Sequence, residues 1–401
     1  MCGYYLYRET PKKRDSISKD NEDSNKYYIS QISTREPSSK QIQIIATLED
    51  FQPLKLLGKG SFGKVILVKY LNKDKIYAMK ILKKKSITSL KQINHIKIER
   101  LLLEKLNHPF IAKLEYAFQD KKNLYLITEF LQGGELHFHL KRNICFKELT
   151  VKFYGAQIFL AIDYLHKNGY IYRDLKPENI LIDKIGYLKL TDFGLCKLVS
   201  NESSDKKYTK CGTLLYMAPE IVKGKPYDYN VDWFSFGVVL YQLLSGEFPF
   251  KINEEKIDET IYNQKVEYPE KMSDEAKDII SKLLEIEPQK RLGYNNSDEI
   301  KKHPFFQQID FEQLYNKKYK PIFRPKLTGE LDLRYFDIYY IEDKGFFSEE
   351  FSENNSLNIK DEEKKEEKND IIENNGKIDD DIFKDFSFCK EESEDQDSSE
   401  M

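Results

Sequence analysis

Residues that bind metal clusters or form disulfide frameworks are scarce in this sequence. Its 401 residues include 5 cysteines and 6 histidines, and the cysteines are scattered, at Cys2, Cys145, Cys196, Cys211 and Cys389. No pair has C-x-x-C spacing, and no Cys/His cluster indicates zinc. A sparse, odd set of thiols fits a reducing compartment, so we expect a cytoplasmic protein, with the nucleus as a second location.

Long apolar runs are also missing. The longest one, FSFGVVLYQLL at residues 234–244, is too short and too interrupted to span a bilayer. The first residues, MCGYYLYRETPKKR, lack the charged and then apolar layout of a signal peptide. We therefore expect no stable membrane anchor, and the sequence leaves open whether Cys2 carries a lipid.

The net charge of −3 hides a strong asymmetry along the chain. From Ile338 onward there are 22 acidic residues against 8 lysines, so the rest of the chain is net positive. A moderately basic body suits anionic ligands such as nucleotides. Because no dense Lys/Arg stripe is present, we expect no nucleic-acid partner.

The hydrophobic pattern divides the chain into segments of different character. Residues 1–49 are polar and mixed in charge and predict a flexible extension. Residues 51–131 alternate as strands do, around one helix, whereas helical patterns dominate residues 132–306. Residues 307–401 form a tail with a low-complexity acidic linker at 348–382. The expected fold class is α+β, a small strand-rich unit followed by a larger helical one.

A glycine-rich loop, GKGSFGKV at residues 58–65, matches three phosphate-binding motifs. A Walker loop needs Ser or Thr after its Lys, where this chain has Val65. Walker and Rossmann loops both open a helix, but the residues that follow here, VILVKY, are strand-like. A Rossmann unit also needs an acid about 20 residues further on, where this chain has Lys80. Strand, glycine loop, strand and lysine favour a protein kinase over a dehydrogenase or a plain hairpin turn.

The stretch YRDLKPENILI, residues 172–182, fits the kinase catalytic loop R-D-x-x-x-x-N. In that loop Asp174 would accept the proton of the attacking hydroxyl, and Asn179 would hold magnesium. DFG follows, where Asp192 would bridge the metal to the phosphates, and APE at residues 218–220 closes the activation segment. A lone RD or DFG is usually a surface pair or a turn, but an ordered set of motifs is not a surface accident.

A fixed cation completes this set. The transferring phosphoryl group carries spread negative charge, so catalysis rests on positioning and electrostatic stabilisation. Lys80 would supply positive charge to the phosphates and must itself be held by a helix acid. Glu99 lies in the predicted helix and is the candidate, although alone it could be one more solvated helix charge.

From Phe51 to Phe306 the chain resembles the eukaryotic protein kinases, and more narrowly the AGC group of Ser/Thr kinases. The resemblance is to the protein kinase B, serum- and glucocorticoid-regulated kinase and S6 kinase type. It is carried by YRDLKPEN, DFGLCK, TKCGT, VDWFSFG, EPQKRLG and the tail segment IFRPKLTGELDLRYFD. It implies a bilobal kinase fold with an extended C-terminal tail, and ATP and Mg²⁺ as cofactors. About 50 leading residues are too few for a pleckstrin-homology domain, so we expect none here.

The resemblance also implies roles at the nucleotide and substrate sites. Lys176 would neutralise the γ-phosphate, Thr128 falls at the gatekeeper position, and Glu135 resembles the acid that meets ribose and a basic substrate residue. The ATP site would be formed by Lys80, Thr128 and Glu135 together with Leu57, Gly58, Lys59, Gly60, Ser61, Phe62, Gly63, Lys64, Val65, Ala78, Glu129, Leu131, Glu178 and Phe336.

Further positions match the regulatory and structural parts of the family. Thr209 matches the activation-loop phosphothreonine, and the cations expected to grip its phosphate are Arg173, Lys197 and His95. Arg291 should pair with Glu220, and Asp232 should anchor the catalytic loop. The apolar stack that joins the lobes would consist of Leu103, Leu114, Tyr172 and Phe193, which ordinary core packing would explain equally well.

The chain departs from the AGC pattern near the substrate groove. GTLLY stands where the group usually has GTPEY, which places Leu214 and Leu215 in this segment, and Gln242 replaces a helix acid. These changes weaken any transfer of arginine-directed specificity and leave the chemistry untouched. No Ser-Pro or Thr-Pro marks a turn-motif phosphosite, and the candidates are weak: Ser348, Ser352 and Ser356.

The segment FKDFSF at residues 383–388 places three phenylalanines inside an acidic tail. A disordered acidic tail has few aromatics. The segment matches the hydrophobic motif of AGC kinases, whose two leading rings, here Phe383 and Phe386, dock beside the helix that carries Glu99. Ser387 would then be a phosphorylation switch. The alternative is a chance aromatic cluster.

These observations predict an ATP-dependent, basophilic Ser/Thr protein kinase that is activated by phosphorylation at Thr209 and Ser387. The expected partners are protein substrates and an upstream kinase, and a monomer is expected. The alternative is a pseudokinase scaffold of the same fold, which predicts loss of at least one residue among Lys80, Asp174, Asn179 and Asp192; all are present.

Overall fold

A strand-rich lobe precedes a helical lobe in the computed structural model, which describes residues 46–60, 63–199, 211–251, 262, 264–343 and 380–390. The strands are β1 (Phe51–Gly60), β2 (Gly63–Tyr70), β3 (Lys75–Lys83), β4 (Leu114–Gln119), β5 (Asn123–Glu129), β6 (Tyr170–Ile171), β7 (Ile180–Ile182), β8 (Leu188–Leu190), β9 (Lys197–Leu198) and β10 (Phe388–Cys389). The α-helices are α1 (Leu90–Lys105), α2 (Leu136–Asn143), α3 (Glu148–Lys167), α4 (Pro219–Val222), α5 (Asn230–Ser245), α6 (Asp274–Leu283), α7 (Asp298–Lys301), α8 (Phe311–Tyr315) and α9 (Ile338–Ile341).

The sheet of the first lobe is antiparallel, with strand order β1-β2-β3-β5-β4-β10. Successive side chains point to opposite faces of a strand. In β5, Leu124 and Leu126 accordingly join the core that continues under α1, whereas Tyr125 and Ile127 join an aromatic cluster on the other face. The sheet therefore buries both faces, which holds its central strands rigidly beside the nucleotide loop.

Helix α1 starts where its sequence supplies a cap. The Ser89 hydroxyl accepts a hydrogen bond from the Gln92 amide at 3.3 Å, and the Gln92 side chain accepts one from the Ser89 amide at 3.1 Å. This reciprocal pair satisfies two backbone donors at the helix start. Apolar residues such as Ile96 and Leu103 then face the core, and this orientation turns the intervening Glu99 toward β3.

The second lobe is built around α3 and α5. Phe159 of α3 stacks on Trp233 of α5 with ring centroids 5.6 Å apart. Both rings are fully buried. Of the residues predicted to join the lobes, Leu103, Leu114, Tyr172 and Phe193 all lie in one continuous core. Within the described part of the chain, no helix has the length and apolar character needed to cross a membrane.

The first part of the tail, up to residue 343, passes along the segment between the lobes and reaches the sheet. Gly134 has φ +72°, and a Cβ there would lie 2.2 Å from the Tyr335 carbonyl oxygen, so only glycine lets the tail pass so closely. The next residue, Phe336, stacks on Phe130 with centroids 5.5 Å apart. Helix α9 then packs against β1. The tail is thereby held next to the segment that links the lobes.

The predicted α+β bilobal fold is confirmed, with two differences at its edges. The predicted extension 1–49 is too long, because Ala46 is only 4% exposed against the aromatic cluster and a 3-10 turn spans Leu48–Asp50. The tail also adds a strand, β10, which no local pattern predicted. Residues 1–45 of the extension and 348–379 of the linker lie outside the described residues.

Candidate active site

Lys80 lies between two carboxylates in the cleft between the lobes. Its Nζ is 2.7 Å from Glu99 Oε1 and 3.4 Å from Asp192 Oδ1. Burial alone would lower the pKa of Lys80, but the carboxylates of Asp192 and Glu99 outweigh burial and hold that pKa above its usual value. Lys80 in turn holds the pKa of Asp192 below its usual value. Burial raises the pKa of Glu99, while the charge of Lys80 opposes that rise. The three groups thus form one electrostatically coupled cluster.

Asp174 is held by three side chains that fix both of its carboxylate oxygens. Lys176 Nζ and Asn179 Nδ2 each donate to Oδ2 at 2.8 Å, and the Thr213 hydroxyl donates to Oδ1 at 3.1 Å. Burial raises the pKa of Asp174, while the neighbouring Lys176 opposes that rise. A more basic carboxylate is a better proton acceptor, provided it stays ionised at the working pH.

The catalytic loop and the DFG turn both contain a strained backbone. Arg173 has φ +69° and Asp192 has φ +56°, values that non-glycine residues rarely adopt. Asp232, which is fully buried, supports the first of these turns: it accepts hydrogen bonds from the amides of Tyr172 and Arg173 at 2.8 Å each. His166 Nε2 also lies 2.8 Å from its carboxylate. Asp232 thus lies where the sequence placed an anchor of the catalytic loop.

Most of the predicted nucleotide residues lie on the neighbouring strands β1, β2, β3 and β5. Gly58 pairs with Val65, and Ala78 pairs with Thr128. A Cβ at Gly63 would lie 1.8 Å from the Ile81 carbonyl oxygen of β3, so only glycine fits at the start of β2. Of the other predicted residues, Leu57, Lys59 and Gly60 lie in β1, Lys64 in β2 and Glu129 at the end of β5, and Leu131 follows β5. Ser61 and Phe62 lie outside the described residues.

A magnesium ion would be held here by Asn179 and Asp192. Asn179 Nδ2 donates to Asp174, which leaves the amide oxygen Oδ1 as its metal-binding atom. An amide oxygen and a carboxylate are the hard oxygen donors that Mg²⁺ prefers, with substrate phosphates completing its shell. Among the described residues no group of three or more His, Cys, Asp or Glu side chains could hold a metal ion.

Two of the residues predicted to bind the phosphate, Arg173 and His95 of α1, lie close enough to interact electrostatically. Arg173 donates to the Leu195 carbonyl at 2.6 Å and to the Tyr227 hydroxyl at 3.0 Å. Burial, together with the charge of Arg173, lowers the pKa of His95 to about 4, so its imidazole is neutral at pH 7. Lys197 lies in β9, which pairs with β6 just before Arg173. Thr209 itself lies outside the described residues.

An acidic pair lies beside the catalytic loop. Burial raises the pKa of Glu135 to about 7, with further contributions from the carboxylates of Glu178 and Asp337. His137 Nδ1 is 3.7 Å from Glu178 Oε1. In the described structure His137 Nδ1 and Glu178 Oε2 are buried and lack a hydrogen-bond partner. These atoms can accept hydrogen bonds from a ligand that carries N–H donors.

The departures from the AGC pattern lie together in the neighbouring groove. The Tyr216 hydroxyl donates to Gln242 Oε1 at 2.8 Å, and both side chains are buried. Leu214 and Leu215 precede Tyr216 and pack partly buried against the core. The residue before Leu214, Thr213, donates a hydrogen bond to Asp174. An apolar, uncharged surface therefore begins one residue after the threonine that contacts the candidate base.

A buried ion pair ties the end of the activation segment to the helical lobe. Arg291 donates to both carboxylate oxygens of Glu220, at 2.7 and 3.1 Å. It also donates to the carbonyls of Asn230 at 2.9 Å and Glu285 at 3.0 Å. Arg291 is 1% exposed and Glu220 is 5% exposed. The two residues that the sequence analysis paired are therefore in bidentate contact.

Several residues with contacts at the site or near it were not assigned by sequence. Thr213 holds Asp174, His137 faces Glu178, and Asp343 pairs with Lys59 of the glycine loop at 2.8 Å. Arg100 holds the tail segment that follows Phe383. Only Arg100 carried a signal, its position beside Glu99, and a charged residue on a helix is usually just solvated.

Residues 51–306 match the family described as "Protein kinase domain", so the chain belongs to the protein kinase family. It is 45% identical over 300 residues to "Protein kinase 2" of Dictyostelium discoideum, an alignment that covers 75% of this chain and 62% of that one. It is 43% identical over 294 residues to the RAC-beta serine/threonine-protein kinase of Homo sapiens, covering 73% and 61% of the two chains. These similarities indicate an AGC-type eukaryotic protein kinase. The chain spans about three fifths of the length of the curated relatives it matches. Membership of the protein kinase family implies ATP as a substrate.

Proposed function

We propose that this protein is a Ser/Thr protein kinase that transfers the γ-phosphate of Mg-ATP to hydroxyls of protein substrates. The observation that carries the proposal is the position of Asp174, whose oxygens are held by Lys176, Asn179 and Thr213. A carboxylate fixed this way can accept the hydroxyl proton as the oxygen attacks. Lys176, which bonds both Asp174 and Thr213, would place positive charge where the phosphoryl group passes.

The nucleotide phosphates would lie between the glycine loop and the Lys80 cluster. Lys80 is oriented by Glu99, so the position of α1 sets the position of this cation. Magnesium bound by Asn179 and Asp192 would neutralise charge on the phosphates. Thr128 and Glu129 end β5, and Leu131 and Phe336 lie beside the segment that would hold the adenine.

Transfer to a degenerate peptide library tests this function and its specificity together. Purified protein phosphorylated at Thr209 by an upstream kinase should transfer phosphate to Ser or Thr when Mg-ATP is added. Complete lack of magnesium-dependent transfer would favour the pseudokinase scaffold. We also propose that the substrate has a basic residue before the acceptor, because Glu135 and Glu178 place two interacting carboxyl groups near the catalytic loop. We propose an apolar substrate residue near Leu214 and Leu215, which are only partly buried.

The preference for a basic residue should depend on pH. Because the pKa of Glu135 is raised to about 7, its carboxyl is mostly neutral at pH 6 and mostly charged at pH 8. KM for an arginine-containing peptide should therefore fall roughly tenfold as the pH rises from 6 to 8, following the charged fraction. Steady-state kinetics with that peptide and with an alanine-substituted peptide would measure the effect.

Two variants separate Glu135 from the groups around it. Glu135→Gln should give a flat KM profile, and the alanine-substituted peptide should be insensitive to pH. His137→Leu leaves Glu135 in place and removes the neighbouring imidazole, whose pKa is lowered by burial. A pH-dependent KM that survives in Glu135→Gln would show that Glu135 is not the source of the pH effect.

We further propose that Thr209 and Ser387 are phosphorylated by upstream kinases in the cytoplasm. Arg173 and Lys197 are permanent cations near the activation segment, while His95 could bind a phosphate as an N–H donor. A phosphate paired with Arg173 would order that segment. Mass spectrometry of the protein from its native cell would show both modifications, and Thr209→Ala should then lower activity.

A further inference from the structure

The tail segment at residues 318–326, KYKPIFRPK, lies in an extended conformation on the helical lobe. Pro321 and Pro325 restrict the residues that precede them to extended backbone. Successive side chains of an extended chain point to opposite sides. Accordingly, the odd-numbered residues face the lobe, whereas the even-numbered side chains are all exposed: Lys318, Lys320, Ile322, Arg324 and Lys326. We call this exposed row the basic ridge.

The inward side of the segment holds the basic ridge in place. The Tyr187 hydroxyl donates a hydrogen bond to the Tyr319 carbonyl. Phe323 packs edge-on against His139 with ring centroids 4.9 Å apart. A Cβ at Gly186 would lie 1.9 Å from the Phe323 carbonyl oxygen, so the segment lies directly on the turn between β7 and β8. The exposed side chains are therefore carried by a backbone that is fixed on the helical lobe.

The positive charge of the basic ridge is not neutralised by its surroundings. Lys184, in the turn between β7 and β8, adds an exposed cation. Residues 313–329 include no acid. Two acids lie beside the segment, but buried Asp183 pairs with Lys317 at 3.2 Å, and Asp310 accepts hydrogen bonds from amides of α8. Among the residues that the structure describes, neither Lys184 nor any cation of the ridge forms an ion pair.

Two isoleucines are exposed among these cations. Ile322 stands at the centre of the ridge and is 45% exposed, and Ile185, next to Lys184, is 42% exposed. Cations combined with exposed aliphatic side chains match the interface of a bilayer, where charged headgroups border the acyl chains. A water-soluble polyanion would attract the cations but would gain little from the isoleucines.

The shape and the total charge of the molecule favour a flat anionic surface as the partner. Eight residue steps of an extended chain separate Lys318 from Lys326, a distance of about 26 Å. Cations in such a row can all contact a flat surface, whereas a pocket for one phosphate needs donors that converge. The whole chain has a net charge of −3, so any attraction to an anionic surface must come from a local group of cations.

We propose that the basic ridge binds the surface of a membrane that contains anionic lipids. Its cations lie against the headgroups, and Ile322 reaches the boundary with the acyl chains. Lys184 and Ile185 extend the contact. The association is reversible, because a few cations and aliphatic side chains bind far more weakly than a spanning helix. It goes beyond the proposed kinase function and does not depend on it, since no residue of the ridge belongs to the candidate active site.

Sedimentation of the full-length protein with vesicles tests this binding without ATP or substrate. The protein should bind vesicles of phosphatidylcholine with phosphatidylserine but not vesicles of phosphatidylcholine alone, and added salt should weaken the binding. Lys320→Glu with Arg324→Glu should lower the partition coefficient at least about tenfold, because each cation at an anionic surface contributes about fivefold. Absence of binding by the parent protein, or unchanged binding by this double variant, would refute the proposal.

A second pair of lysines provides the matched control. Lys75→Glu with Lys121→Glu makes the same change of net charge on exposed residues of the strand-rich lobe. This variant should bind within about twofold of the parent protein, because charges far from the surface are screened by salt. Both double variants replace exposed side chains, so their unfolding temperatures should match that of the parent protein. Equal losses of binding in the two variants would show that total charge, and not the ridge, controls the association.

Ile322→Ser distinguishes a bilayer from a soluble acidic partner. The substitution keeps every cation and should lower the partition coefficient about threefold, because it removes the apolar contact. The probe for the alternative is a labelled peptide of residues 391–401, which carries acids and no aromatic residue. Vesicle binding that is unchanged in Ile322→Ser would contradict insertion of this side chain. Binding of the peptide to the ridge, with no binding of vesicles, would assign the ridge to a soluble acidic partner and reject the membrane.

Discussion

Asp192→Asn should lower kcat for phosphate transfer by at least about 10²-fold and leave the protein folded. The substitution keeps the shape of the side chain but removes its charge, which lies 3.4 Å from Lys80 Nζ. It also removes the carboxylate that would hold magnesium. Asp192 has φ +56°, and Asn is among the residues that tolerate this left-handed conformation best, so the backbone should stay in place.

The chain offers a closely matched control for this substitution. Asp74 has φ +55°, lies in the turn between β2 and β3, and pairs with Lys69 on the surface. Asp74→Asn therefore makes the same chemical change on the same backbone conformation away from the cleft, and it should leave kcat unchanged. Both proteins should unfold at the same temperature as the parent protein. Retained transfer in Asp192→Asn would overturn the role proposed for this carboxylate.

Arg291→Leu should reduce the free energy of unfolding of the helical lobe by about 3–5 kcal/mol, because it leaves the buried Glu220 carboxylate without its partner. Arg291 donates to both oxygens of that carboxylate and to the carbonyls of Asn230 and Glu285. Leucine supplies no donor to any of them. Chemical denaturation of the two proteins under identical conditions measures the difference.

An exposed ion pair of the same lobe gives the comparison. Lys251 and Glu267 are 3.3 Å apart with side chains 82% and 79% exposed, so Lys251→Ala should cost at most about 1 kcal/mol. In the double variant Glu220→Leu, Arg291→Leu the uncompensated charge is gone, so the loss should be smaller than the sum of the single losses. Equal destabilisation by Arg291→Leu and Lys251→Ala would contradict the importance of the buried pair.

Local patterns were sufficient for the fold class and for the identity of the reacting groups. Alternation of apolar residues predicted the strands, and the order of glycine loop, Lys80, Asp174 and Asp192 pointed to phosphoryl transfer. Those residue types are demanded by the chemistry, and their spacing along the chain is short enough to recognise as motifs. The structure brings Lys80, Glu99 and Asp192 together within one cluster.

Contacts between distant segments could not be predicted in the same way. Thr213 reaches Asp174 across 39 residues, and Arg100 reaches Phe386 across 286 residues. The local sequence around a loop hydroxyl or a helical cation does not predict which distant residue it will contact. The pKa of Glu135 is likewise set by burial and by Glu178 and Asp337, which only the folded chain places around it.

The sequence by itself determined which chemical groups this protein has, because residue types and their local order are properties of the chain. It also predicted that rings of the tail are buried, since aromatic side chains are scarce in disordered acidic segments, and Phe383 and Phe386 are 1% and 3% exposed. Only the tertiary structure decided how the tail is held: by Arg100, by Gln119 and by a strand at the edge of the sheet, all through main-chain atoms. Every residue has those atoms, so no sequence pattern could have pointed to them.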